Sequence, residues 1–329
     1  MTVSYTFNSP ARVADATREK VHAAAEELGY QGKNPWAAAL RTGRSGALGV
    51  VFSEHLTYAF ADPQASEFLA GVASVCAEEG LGLSFIPTVG DSEDAERVRA
   101  APVDGYVFWT TGPEDPCLDA AASTHRPCAI QGGPDHEGFT RISIPDRDAA
   151  AAIARTGLAG VVTHPVVLSF SLDSTRSPRD GYGIPVQDAE FPVTRERLAG
   201  FQDAITEAGH LWEDTYVVAT ARNRRQEAQD AVDLLLRNAI PVDVVLCTSD
   251  ELAHGALAAL QAHHRTVPGE VGVTGWDDGG EAAGAGLTTV KQSLYEQGRT
   301  CGLIAAGHTV AHALQDWEIV ERRTTRNGQ

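Results

Sequence analysis

The chain has 329 residues, 43% hydrophobic and 21% charged, a length suited to two or three globular units with sizeable cores. These proportions exclude wholesale disorder, a collagen-like repeat and a disulfide scaffold. No run of about eighteen apolar residues and no basic-then-apolar leader is present, so a soluble cytoplasmic protein without membrane contact is expected. The net charge of −18 repels phosphate. Residues 1–45 depart from it: Arg12, Arg18, Lys20, Lys33, Arg41 and Arg44 against Asp15, Glu19, Glu26 and Glu27 give +2, leaving −20 for the rest. The five cysteines (Cys76, Cys117, Cys128, Cys247, Cys301) are odd in number and lack CxxC spacing. They read as buried free thiols rather than a zinc site or disulfides.

At the front, Val21, Ala24, Ala25 and Leu28 fall at i, i+3, i+4 and i+7 with Gly29 just beyond, which predicts an amphipathic helix over residues 16–28. Asn34 and Pro35 read as the N-cap and first position of a short helix running to about Arg41 and ended by Gly43. So short a helix is unstable alone and needs a partner. It carries small residues, a cation and the apolar Leu40, a wedge of the kind that unstacks a base step in the DNA minor groove.

From residue 46 onward, apolar β-branched runs alternate with helical patterns. Strands are expected over Gly46 to Phe52, Leu81 to Ile86, Val103 to Trp109, Pro127 to Gln131, Pro165 to Phe170, Tyr216 to Thr220, Val242 to Thr248 and Val271 to Trp276. Helices are expected over Ala65 to Glu79, Arg147 to Leu158, Arg195 to Ala208, Gln226 to Asn238, Glu251 to His263 and Tyr295 to Gln315. Strict strand–helix succession predicts an α/β fold of parallel sheets, and two sheets of about four to six strands suit the length.

Open α/β sheets bind ligands at the carboxyl ends of their strands. The residues there are polar or aromatic: Tyr58, Phe60 and Asp62; Thr110 and Thr111; Thr248, Ser249 and Asp250; Trp276, Asp277 and Asp278. Aromatic faces beside carboxylates that accept hydroxyl protons suit a polyhydroxylated small molecule such as a sugar. Local roles are equally open: Ser249 and Asp250 as helix caps, Asp277 and Asp278 as a turn. His308 and His312 lie at i, i+4 in the last helix and read as a surface or interface pair rather than metal ligands. His263 and His264 suit the C-terminal end of a helix. No phosphate-loop, GxSxG or triad context is present, so neither a cofactor nor an enzymatic centre is expected.

The ordered set of motifs is specific. Thr2 to Asn8, Thr17 to Val21, Ala23 to Tyr30 and Asn34 to Val50 are followed by Phe68 to Gly71, Val103 to Gly105, Arg197 to Phe201, Ser249 to Ala256, Val267 to Asp278, Leu287 to Gln292 and Glu318 to Thr325. Together they resemble the lactose-repressor (LacI/GalR) family of bacterial transcription regulators over nearly the whole chain. The resemblance implies a helix-turn-helix headpiece, a hinge helix that orders on operator DNA, and two doubly wound periplasmic-binding-protein-like subdomains around an effector cleft. It also implies a homodimer, whose surface comes largely from the helix over residues 295–315 and the first core helix.

The implied division is residues 1–32 for the headpiece, 33–45 for the hinge helix and linker, 46–158 with 290–314 for the first effector-binding subdomain, and 159–289 with 315–329 for the second. Carried over, Arg197, Asp277 and Ser249 contact the effector, a sugar or related metabolite. Trp276, Asp250, Tyr58 and Phe60 line the cleft, and Asp146 is a further candidate. Arg197→Ala is expected to abolish effector binding with the fold intact. Thr2, Ser4, Tyr5, Asn34, Leu40 and Arg41 face DNA. Family members begin roughly fifteen to twenty residues earlier, so Met1 falls inside the recognition helix. A headpiece of this extent is expected to be disordered and to bind operator weakly or not at all, with a headpiece-less solute sensor as the alternative reading. Ala14 stands where relatives carry a Ser N-cap.

Overall fold

The computed structural model describes residues 2–8, 10–29, 44–52, 60–88, 92–310 and 316–326. At the front, α1 (Thr2–Asn8) and α2 (Asp15–Glu27) are joined through a 3-10 turn at Pro10–Arg12. They meet through Phe7, edge-on to His22 with ring centroids 5.2 Å apart, and Thr6 and Ala25 are buried. The predicted apolar stripe of α2 is covered only in part. Ala25 is buried and Val21 half-buried, whereas Ala24 and Leu28 are exposed. Ala14 holds the N-cap position without a side-chain bond to the helix.

Next come β1 (Ala47–Phe52), α3 (Pro63–Glu79), β2 (Gly82–Pro87), α4 (Ser92–Ala100), β3 (Gly105–Trp109), α5 (Pro116–Ala122), β4 (Cys128–Gln131) and β5 (Phe139–Ile142). The strands form a five-stranded sheet in the order β2-β1-β3-β4-β5, parallel throughout. Both its faces are buried, as parallel sheets require. Leu48, Val50 and Phe52 of β1 face Phe68 and Val72 of α3, while Val51 packs with Ile86, Val98 and Phe108 on the other side.

The chain then crosses to α6 (Asp146–Gly157), β6 (Pro165–Ser169), β7 (Arg179–Tyr182), α7 (Pro192–Glu207), β8 (Tyr216–Ala219), α8 (Arg225–Arg237), β9 (Val244–Cys247), α9 (Asp250–Ala262), β10 (Gly272–Asp277), α10 (Ala282–Ala285) and β11 (Thr288–Lys291). It returns to the first sheet as α11 (Leu294–Ala305) and comes back once more as β12 (Glu318–Val320). The second sheet has the order β12-β11-β10-β9-β6-β8-β7.

Three expectations change. The second sheet is not purely parallel: β7 and β12 run antiparallel at its two edges, and β5, β7, β11 and β12 are only three or four residues long, too short to stand out as strand runs. The last helix ends at Ala305, where Gly307 turns left-handed at φ 91°. His308 therefore lies beyond it and faces Glu79 at 3.2 Å, while His312 lies outside the described residues. Finally, α6 packs on the second sheet: Ala150, Ile153 and Ala154 join Leu198, Leu246 and Val290 in one core. By packing, residues 146–157 go with the second unit, not the first.

The Phe68–Gly71 motif has a local reason. A methyl group on Gly71 would lie 2.0 Å from the Tyr295 carbonyl oxygen, and one on Gly298 would lie 2.1 Å from that of Phe68, so α3 and α11 touch backbone to backbone only because both positions are glycine. The Val103–Gly105 motif has another. Asp104 accepts from the Ser45 N–H at 2.6 Å, the Ser45 hydroxyl at 2.9 Å and the Gly46 N–H at 2.9 Å, holding the chain at the entry to β1. The second sheet repeats the device, with Asp243 accepting from the Thr163 and His164 N–H groups at 2.8 and 2.9 Å before β6. All five cysteines are buried.

Candidate functional site

The carboxyl ends of both sheets face one cleft, which encloses about 770 Å³ with its open mouth included. The first sheet contributes Asp62 and Gln64 at the start of α3, Trp109 and Thr110 after β3, and Gln131 at the end of β4. The second contributes Phe170 after β6, Phe191 and Arg197 of the α7 region, Arg222 and Asn223 after β8, Ser249 after β9 and Asp277 at the end of β10. Gln292, in the crossing between β11 and α11, closes the floor.

Arg197 is 5% exposed and locked on three sides. Its Nε donates to Asp146 at 2.8 Å, its Nη1 donates to the Thr248 carbonyl at 2.7 Å, and its guanidinium lies 4.1 Å from the Trp276 ring centre. Nη2 has no protein acceptor among the described residues. Burial raises the Asp146 carboxyl, and the Arg197 charge opposes that rise.

Asp277 is 8% exposed and sits at φ 109°, a backbone state that costs a non-glycine residue about 1–3 kcal/mol and clusters at functional sites. Its Oδ1 accepts from Gln292 Nε2 at 2.7 Å. Burial pushes its carboxyl well above the usual range, with Arg197 again opposing. Asp278 turns away to pair with Arg322 at 2.7 Å, so the adjacent aspartates divide the turn and cleft roles.

Ser249 does two jobs. Its Oγ accepts from the Leu252 N–H, capping α9, and donates to Asn223 Oδ1. Asn223 Nδ2 in turn donates to Asp62 Oδ2 at 3.0 Å, and Asp62 caps α3 through the Gln64 and Ala65 N–H groups. A single asparagine thus bridges two helix caps on opposite walls of the cleft.

Among the residues singled out from sequence, Arg197, Ser249, Asp277, Asp62 and Thr110 line this cleft. Trp276, Asp250 and Asp146 lie behind it. Trp276 is wholly buried beneath Arg197. Asp250 accepts from Thr289 Oγ1 at 2.7 Å and the Gly279 N–H at 2.8 Å, and burial pushes its carboxyl up to about 6. Phe60 is 62% exposed and packs on Phe85 instead of lining the cleft, because its ring turns toward β2. Tyr58 lies outside the described residues.

Gln131, Phe170, Phe191, Asn223 and Gln292 were missed. Phe170 and Asn223 follow strands, so applying the strand-end rule to β6 and β8 finds them. Gln131 ends β4 and is reached by the same rule, whereas Gln292 follows β11, a strand not predicted from sequence.

On the headpiece, Thr2 and Tyr5 are exposed on α1; Ser4 lies in the same helix, its side chain outside the described part. The expectations for Asn34, Leu40 and Arg41 fall outside the described residues. No helix among the described residues is long and apolar enough to cross a membrane.

Comparison with known proteins agrees with this architecture. Residues 1–32 match the model of bacterial regulatory proteins of the lacI family, and residues 181–325 match that of a periplasmic binding protein-like domain. An HTH-type transcriptional regulator of Mycobacterium tuberculosis is 37% identical over 339 residues, covering 98% of this chain and 92% of the relative. The crystal structure of a LacI-family transcriptional regulator from Corynebacterium glutamicum superposes with a TM-score of 0.76 at 27% identity, covering 100% of this chain and 95% of that one. The complex of the transcriptional regulator CelR with cellobiose shares the fold, with a TM-score of 0.70 at 23% identity over 98% of this chain and 95% of that one. The chain belongs to the LacI family of bacterial transcription regulators.

Proposed function

We infer that the protein is a ligand-responsive repressor that binds operator DNA as a homodimer and takes a small polyhydroxylated effector, a sugar or related metabolite, between its two lobes. The observation that carries this reading is Asp277, held at a strained backbone angle where it lines the cleft beside Arg197. Asp277, Gln131 and Asn223 supply acceptors and donors for hydroxyl groups, while Trp109 and Phe170 offer apolar faces to a sugar ring. Arg197 Nη2 adds one charged donor. The similarity of fold to a regulator solved with cellobiose supports the same class of ligand.

Ligand between the lobes favours one relative orientation of the two, and the headpieces of the dimer sense that orientation. Such coupling is typically about 1–3 kcal/mol. In this reading residues 1–32 form the headpiece, with Thr2, Ser4 and Tyr5 toward DNA. Residues 33–45 form the hinge and linker, with Leu40 as wedge between Asn34 and Arg41. The lobes comprise residues 46–144 with 292–310, and 145–291 with 316–326. The outer faces of α3 and α11 supply much of the dimer contact.

A thermal-shift screen of the purified protein against monosaccharides, disaccharides and polyols tests the effector class. A cognate ligand at a hundred times its Kd stabilises by about 2.7 kcal/mol, a rise of roughly 5–10 °C for lobes of this size. A screen in which nucleosides or amino acids raise the melting temperature and no sugar does so overturns the reading.

A further inference from the structure

Four side chains form a continuous hydrogen-bonded line from one lobe to the other. Gln131 Nε2, at the end of β4, donates to Gln297 Oε1 at 3.0 Å; Gln297 Nε2 donates to Gln292 Oε1 at 2.9 Å; Gln292 Nε2 donates to Asp277 Oδ1 at 2.7 Å. The direction is set at one end. Ionised, Asp277 can only accept, and Gln292 then turns its NH2 to Asp277 and its carbonyl to Gln297. Gln297 must then present its own carbonyl to Gln131. Gln131, Gln292 and Asp277 line the cleft, whereas Gln297, on α11, is 0% exposed and does not.

We propose that Gln297 is the positioning residue of the effector site, holding Gln131 of one lobe and, through Gln292, Asp277 of the other in mutually dependent orientations. This rests on the effector reading of the cleft. An amide in this place does what no apolar residue can: it accepts from one lobe and donates toward the other. Reversing any member faces two acceptors or two donors in a buried setting, which is costly. The line therefore moves as a unit, and a ligand that reorients Asp277 acts on Gln131 without touching α11. The charged groups around its acidic end are Arg197 of α7, Asp250 of α9 and Asp62 before α3, besides Asp277 itself.

The test needs no effector, so its outcome is independent of whether a sugar is the ligand. Amide hydrogen exchange of the full chain is compared between parent, Gln297→Leu and Gln297→Glu, reading peptides over residues 127–133 and 272–279. In Gln297→Leu both peptides exchange about tenfold faster than in the parent, because each end loses a buried partner. Gln297→Glu discriminates positioning from packing. Protonated, its carboxyl accepts from Gln131 and donates to Gln292, so exchange matches the parent at acid pH. Ionised, it cannot donate, and the excess exchange appears as pH rises. Excess exchange that is independent of pH in Gln297→Glu, or confined to residues 294–305 in both variants, overturns the proposal.

Discussion

Removing Arg197 tests how far the cleft is also a part of the fold. Sequence alone led to the expectation that Arg197→Ala leaves the fold intact, but the structure gives the residue structural partners. Its pair with Asp146 is 2.8 Å long, with side chains 6% and 8% exposed. Deleting one member of a buried pair costs about 3–5 kcal/mol because the other charge stays buried. The Thr248 carbonyl also loses its 2.7 Å donor. Set against a total stability of about 5–15 kcal/mol, such a loss is a large fraction.

Asp146 can escape part of this loss by taking up a proton. Its carboxyl is raised by burial even with Arg197 present, and removing the guanidinium raises it further. A carboxyl whose folded pKa exceeds its unfolded value contributes stability that is complete at low pH and lost as pH rises through the folded pKa. The gap between parent and Arg197→Ala should therefore be small near pH 4 and widen toward pH 7. Urea unfolding at both pH values, with unchanged m, measures it. Adding Asp146→Asn should recover part of the loss at neutral pH, a non-additivity read from the double-mutant cycle. A loss below about 1 kcal/mol at pH 7, or one that is flat with pH, would refute the reasoning, because a buried carboxylate could not then be left unpaired.

Two further outcomes follow from the same wall of the cleft. At Asp277, φ 109° favours glycine, so Asp277→Gly should be more stable than Asp277→Ala by about 1 kcal/mol in thermal unfolding, while both abolish effector binding; equal stability would mean the backbone relaxes there. Asp250, pushed up to about 6 by burial, lends stability that is full below its unfolded pKa near about 4 and fades as pH rises through about 6. Unfolding of the parent relative to Asp250→Asn should shift in the variant's favour across that window, and a constant difference would assign the rise to another group.

The parallel core was legible because buried strands such as Val244–Cys247 are short apolar runs between helices with a 3.6-residue period. The edges were not. Arg179–Tyr182 is polar and Glu318–Val320 is only three residues long, and both are strands because a neighbour offers them a ladder. In the same way Ser249 and Asp277 could be picked out by where they follow a strand. Arg197 and the aspartate it holds are 51 positions apart, and Gln131 and Gln297 are separated by 166. No local pattern marks partners at such separations. Phe60 looked like a cleft aromatic because it follows β1, but following a strand fixes the position of a backbone and not the direction of a ring.

The mooring of Ser45 and Gly46 on Asp104 has a mechanical meaning. Three hydrogen bonds fix the incoming linker to the start of β3, and the next residue, Gly105, is close enough to the end of α11 that a methyl there would lie 1.9 Å from the Ala305 carbonyl oxygen. The anchorage and the helix that carries Gln297 therefore share one rigid corner. A twist of that corner is passed to the linker at its root, with no slack before Ser45. The linker and the helix that carries Gln297 are thereby joined at one carboxylate, and cutting that tie would free the root of the linker from the core.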